Sequence, residues 1–391
     1  MRLTLIDGFR GYFLLFMMIA HVAPVVNAPI GVLTHHSIGW VEDAQGFVFV
    51  SGLVVGLVYG KLLLKRGYET MTSSIWSRIR KIYAYQAALI GVFLVAALVF
   101  AAFAEVPSIL SSYAREPVLF TLVSLLLVGG SMHMGILPMY VFFMIATPFV
   151  LWAFKTGRGP VVLITSVLLW LGAQLGLTDI LQPPIEGALR EMGHPVNIGI
   201  YFDVLGWQVL FFAGLYPGYL MANKTLSLEF LKKPAYEQAF FVGLVGFTAL
   251  AVFDIAVRQH WFGADYSNTL YWTSDRAMLA PIYVVAFFLD LFLIVWLISA
   301  GQESSRRWIN KASVFANWFF TRPFLTTLGR HSLQVFTIHI LAVYVIEIWA
   351  EGRDVSAMTA NIIVLLSPLP LYITAWMHEE IKRKRAAAAV A

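Results

Sequence analysis

The stretch from Gly8 to Val26 reads Gly-Phe-Arg10-Gly-Tyr-Phe-Leu-Leu-Phe-Met-Met-Ile-Ala-His21-Val-Ala-Pro24-Val-Val, and its only permanently charged side chain is Arg10. A helix needs about 20 mainly apolar residues to cross a bilayer, so this stretch is long enough to span. It starts almost at Met1 and runs into Pro24 and Asn27 without a small-residue cleavage site. It is therefore expected to remain as a span and not to be removed as a signal peptide.

Runs of the same kind recur at 44–64, 83–104, 134–154, 160–176, 203–222, 238–257, 278–298, 331–350 and 356–377. Of the 391 residues 59% are hydrophobic and 13% charged, against roughly 25% charged in an ordinary soluble domain. Too little charge is present to dress a water-exposed surface of this size, so the apolar runs must face lipid. The alternating ten-residue pattern of an outer-membrane barrel is missing. The fold class is all-α, a polytopic integral membrane helical bundle of about ten transmembrane helices. Residues 1–378 are read as one membrane domain and 379–391 as a basic and alanine-rich cytoplasmic tail, its alanine end expected to be disordered.

Val118–Val128 is ambiguous, because a run this short is more often interfacial or re-entrant than spanning, and the basic residues decide its placement. With ten spans and the N-terminus inside, only Arg115, Arg190, Arg258, Arg276 and Arg353 of the 27 Lys and Arg fall outside. An eleventh span would invert every later loop and destroy this asymmetry, so the run is placed at the outer surface and both termini in the cytoplasm. The same asymmetry accounts for the net charge of +5 without nucleic acid. Outer loops rich in acidic and aromatic residues, such as Trp261, Asp265, Tyr266 and Tyr271, suit sugar hydroxyls or form an interfacial belt.

Ionisable groups inside spans are costly and mark candidate sites. Arg10 and His21 are eleven residues apart, almost three helical turns, so they share one face about 16 Å apart along the axis. Asp254 lies near the expected depth of His21 and could orient and polarise it, while Asp290 lies deeper. Either aspartate could equally serve a salt bridge within the bundle. Ser51, Gly52, Gly56 and Gly60 recur at a four-residue spacing that packing alone explains. Arg78, Arg80 and Lys81 enter the third span; topology accounts for them, and they could also hold a phosphorylated ligand. His331 and His339 are too far apart for one metal site on a helix, and no metal is expected. The count of zero cysteines excludes disulfides, thiolate metal sites and a cysteine-bound acyl intermediate.

Together these segments resemble the membrane acyltransferases of the acyltransferase family 3 type, and more closely the OpgC group associated with succinylation of periplasmic glucans. The resemblance rests on Arg10 with His21, Phe47-Val-Phe-Val-Ser51-Gly52, Arg78 to Lys81, Ile136-Leu-Pro-Met-Tyr140 with Thr147-Pro148, Gly206-Trp207-Gln208, and Leu328-Gly329 to Ser332-Leu333 with His339.

The resemblance implies a bacterial inner-membrane, multi-pass enzyme that moves an acyl group from cytoplasmic acyl-CoA to a hydroxyl of a periplasmic glucan. Succinyl-CoA is the favoured donor and acetyl-CoA the alternative. His21 is the expected general base, with an acyl-histidine intermediate as the competing route. Arg10, Ser51, Arg78, Arg80, Lys81, Trp207, Gln208 and His339 are the expected substrate and coenzyme contacts, with Ser51, Trp207 and Gln208 as possible oxyanion donors. O-acetylation of another envelope glycan, or transport of a sugar or lipid-linked sugar, is the rival reading. No inverted repeat supports transport, and the oligomeric state is not legible.

Overall fold

The computed structural model describes residues 2–388 except His36, Ser37, Leu181 and Pro195. No strand occurs among them. The helices in chain order are α1 (Arg2–Val25), α2 (Asp43–Arg66), α3 (Tyr68–Phe103), α4 (Ser111–Arg115), α5 (Pro117–Leu125), α6 (Ile136–Lys155), α7 (Gly159–Gln174), α8 (Gln182–Glu191), α9 (Val204–Ala222), α10 (Pro234–Arg258), α11 (Ala264–Thr273), α12 (Pro281–Ser299), α13 (Arg307–Phe320), α14 (Pro323–Arg330), α15 (Ser332–Ala350), α16 (Ala357–Leu366) and α17 (Leu369–Ala388).

Among the described residues nine helical segments are long and apolar enough to cross a membrane, and the bent pair α7 and α8 makes ten if it counts as one span. Each of the ten apolar runs read from the sequence falls on one of these segments. Their starts are locally encoded. Proline opens α5, α7, α10, α12 and α14, where its missing N–H costs nothing. The Asp203 side chain caps α9 by accepting from the Gly206 N–H, and Ser356 caps α16 at Thr359. The exposed flanks are apolar: Val242 and Val245 of α10 are 74% and 70% accessible. Such residues have a favourable solvent only in hydrocarbon.

The chain forms two compact units interleaved in sequence, with boundaries inside α2 and α15. The first comprises Met1–Val50, Thr225–His339 and Val355–Ala391. Within it α1 lies so close to the segment around α14 that a Cβ on Gly8, Gly11 or Gly329 would overlap the backbone carbonyl of Phe320, Leu325 or Asp7, respectively. The second comprises Ser51–Lys224 and Ile340–Asp354. There α2 and α9 make the same kind of approach at Gly52, Gly56 and Gly218, which accounts for the four-residue spacing of small residues by packing.

Several features depart from the sequence reading. α3 begins fifteen residues before its apolar run and so extends well beyond a bilayer thickness. α5 is not a surface helix at the end of α3: the Leu125 carbonyl accepts a hydrogen bond from the Tyr83 hydroxyl at 3.0 Å. Tyr83 is twenty residues, about 30 Å, from the end of α3. The end of α5 thus lies beside the middle of α3. α13 and α14 are amphipathic, with no apolar run to announce them. Ser367 and Pro368 break the last span into α16 and α17. α17 carries Lys382–Arg385 on as helix to Ala388; residues 389–391 lie outside the described ones.

Candidate active site

In the first unit α1 and α15 carry two polar contacts on facing sides. Arg10 donates through Nη2 to the Ser332 hydroxyl at the first turn of α15. Further along both helices the Nδ1 of His21 lies 2.9 Å from the Nε2 of His339. The two imidazoles are near-parallel, with centroids 5.0 Å apart. The spacing that put Arg10 and His21 on one face therefore has a physical partner, the N-terminal half of α15. The glycine contacts between α1 and α14 set this register, since α15 follows α14 after a single residue.

His339 is fully buried and His21 half-buried. Phe336, one turn before His339, packs against it and stacks on Phe47 of α2. One hydrogen lies between the two rings, and because the contact joins Nδ1 of one to Nε2 of the other, both neutral rings take the same tautomer, either both protonated on Nδ1 or both on Nε2. When Nδ1–H of His21 donates to Nε2 of His339, the Nε2 of His21 is the basic atom; the reverse arrangement places a hydrogen there. The contact thus fixes ring orientation and couples the basicity of one imidazole to the tautomer of the other.

Asp254 is not the partner of His21. It is fully buried in α10 and accepts from Arg258 Nε at 2.9 and 3.0 Å and from the Gly39 N–H at 3.2 Å. An arginine one turn along its own helix and a loop amide satisfy this carboxylate, so its role is to anchor the connection between α1 and α2. Glu42 on the same connection pairs with Arg276 at 3.2 Å, and Ile30 N–H donates to the Asn361 side chain at 3.0 Å.

This connection dips inward and brings in His35, which the sequence reading did not single out. Its Nε2 lies 3.2 Å from Asp43 and its Nδ1 3.3 Å from the Tyr12 hydroxyl. Tyr12 is nine residues from His21, two and a half turns, and so faces the opposite side of α1. α1 therefore has a histidine partner on each flank, at different depths. A histidine in a loop of unknown path carries no periodic signal, which is why His35 escaped notice.

The second unit holds the remaining expected residues. Gln208 of α9 is fully engaged: its amide nitrogen donates to the Ser166 and Leu205 carbonyls at 2.6 and 3.0 Å, and its oxygen accepts from the Ser166 hydroxyl at 2.6 Å. It ties α9 to α7 and has no donor left for an oxyanion. Trp207 is completely buried, edge-on to Phe202, and Ser51 is buried in α2. Arg78 is half-buried, whereas Arg80 and Lys81 are exposed. Of the expected site residues the structure thus joins Arg10, His21 and His339, and redirects Asp254 and Gln208 to structural contacts.

Among the described residues no group of three His, Asp or Glu side chains is arranged to hold a metal ion. Comparison with known families matches residues 2–383 to the family described as OpgC protein. No curated protein and no solved structure matches the chain.

Proposed function

Because the chain belongs to the OpgC protein family, we propose that it is a membrane-embedded O-acyltransferase. It moves a succinyl group from cytoplasmic acyl-CoA to a hydroxyl of a periplasmic glucan. The observation that carries the reading is the His21–His339 contact at 2.9 Å on the helix face that also holds Arg10.

In the tautomer with His339 as acceptor, the Nε2 of His21 removes the proton from the attacking sugar hydroxyl. The oxygen adds to the thioester carbonyl, the carbon–sulfur bond breaks, and the imidazolium returns its proton to the leaving thiolate. Acyl-S-CoA and sugar hydroxyl become sugar ester and free coenzyme A, with every proton accounted for. His339 holds the ring and shares the positive charge at the moment of transfer, as an acceptor on the second nitrogen does in other histidine bases. Arg10 fixes the other end of the same face through Ser332.

Mass spectrometry of periplasmic glucans tests the reading. Cells expressing the chain are expected to carry succinylated glucan and cells expressing His21→Ala to lack it. Full acylation by the variant, with equal amounts of protein in the membrane, overturns the assignment. Acetyl esters in place of succinyl esters identify the donor as acetyl-CoA and leave the role of His21 standing.

A further inference from the structure

From Ser304 to Ile346 the chain has no Asp or Glu, yet it carries Arg306, Arg307, Lys311, Arg322 and Arg330. Carboxylates from other elements meet two of these cations: Glu237 lies 3.8 Å from Arg306 and Glu379 3.3 Å from Arg330. Arg307, Lys311 and Arg322 are exposed and have no carboxylate partner among the described residues. All three sit on α13 or at its C-terminal end.

At 100° per residue, Arg307 and Lys311 lie within about 40° of one another around α13. Arg322 is folded back to the same side, stacked on the Trp318 ring at 4.5 Å and donating through Nε to the Trp318 carbonyl at 3.0 Å. Phe315 and Trp308 follow about 40–60° further round from Lys311, and both are exposed. The opposite face, with Ile309, Ser313 and Ala316, is buried against the protein.

Ile309 sets the depth of the helix, because it shares one buried cluster with Trp296 and Phe240. Trp296 is in the last turn of α12 and Phe240 in the second turn of α10, so α13 runs at the level where these two spans leave the hydrocarbon. An aromatic edge at that level has a favourable solvent in the acyl chains, and cations beside it reach the headgroups. The far end of α13 is seated on α1: Phe320 stacks on Phe9 at 4.0 Å, and its carbonyl leaves no room for a Cβ on Gly8.

We propose that α13 lies in the membrane interface and binds anionic phospholipid, with Phe315 and Trp308 among the acyl chains and Arg307, Lys311 and Arg322 on the headgroup phosphates. The match is one of charge and shape together: a cationic strip with no acidic residue in it borders an exposed aromatic edge on one helix. Lipid held there steadies the start of α1, the helix that carries Arg10 and His21. The inference is independent of the acyltransferase reading.

Thermal unfolding of the full chain in lipid discs tests it, with phosphatidylcholine alone or mixed with phosphatidylglycerol. The unaltered chain is expected to unfold about 3–5 °C higher in the mixture. The triple variant Arg307→Gln, Lys311→Gln, Arg322→Gln should lose most of that rise and match the unaltered chain in phosphatidylcholine alone. The comparison variant Lys61→Gln, Lys65→Gln, Arg66→Gln, which removes exposed cations at the end of α2, should keep it. A second measurement needs none of these charge variants, since the sequence has no cysteine. A fluorophore on Phe315→Cys should be quenched by phosphatidylcholine brominated in its acyl chains, and one on Val314→Cys, about 100° round the helix, less than half as much.

No rise for the unaltered chain, or an equal rise in the triple variant, overturns the inference. So does an equal loss in both triple variants, which would make the effect one of general surface charge. If glycerol 3-phosphate, the anion without acyl chains, stabilises the chain as much in phosphatidylcholine discs, the site is one for soluble phosphates and the lipid assignment falls. Equal quenching at positions 314 and 315 overturns the placement of α13 in the interface.

Discussion

Asp254 and His21 are both ionisable side chains inside spans, and their partners separate what each can do. Asp254 is saturated by Arg258 and the Gly39 amide, while His21 meets another titratable ring. Asp254→Asn is expected to cost about 1–3 kcal/mol of stability, because Arg258 loses its counter-ion and the α1–α2 connection loses an anchor. Thermal unfolding in detergent measures it, and succinyl transfer by the folded fraction should stay within about threefold of the unaltered protein. A hundredfold fall in turnover at unchanged stability would return Asp254 to the chemistry. His339→Gln retains a hydrogen-bonding group but not the imidazole, so turnover should fall about 10²-fold with little change in KM for the glucan. A rise in KM alone would make His339 a binding residue. Sequence could place Arg10 and His21 on one face because helical geometry is local. It could not supply their partners, more than 300 residues away in the chain.

α2 and α9 are in backbone contact because three glycines leave no Cβ between them. Close approach is the usual way for membrane helices to gain dispersion energy where no hydrophobic force drives them together. Gly52→Val would push its branched side chain into the Phe211 carbonyl, and about 1–3 kcal/mol or more of destabilisation follows. Gly91→Ala on α3, where a Cβ meets nothing within 4 Å, is the control and should be neutral or slightly stabilising. Equal unfolding temperatures for the two variants would refute the packing role. The elements that escaped sequence reading share one property. α13 and α14 are short and amphipathic, and the connection before α2 is irregular, so none has a long apolar run. α5 has an apolar run, but its position is set by what it packs on, such as Tyr83 for its end.

For the molecule as a whole, the Lys and Arg asymmetry argues for both termini on the cytoplasmic side, a proposal that the cysteine-free sequence makes directly testable. Single cysteines at Ser227, between α9 and α10, and at Asp265, in α11, occupy exposed sites. A membrane-impermeant thiol reagent added to intact cells should label Asp265→Cys and spare Ser227→Cys; the opposite pattern reverses the orientation. What the sequence alone determined is the all-helical class, the ten apolar segments and the face shared by Arg10 and His21. These depend on residues near one another in the chain and on the solvent each side chain requires. Only the tertiary structure decided that His339 and not Asp254 meets His21, that Gln208 is spent on Ser166, and that the α1–α2 connection carries His35 to Tyr12. Each of these is a pairing across helices, and in lipid every helix presents much the same apolar flank, so hydropathy carries no record of which neighbour it will choose.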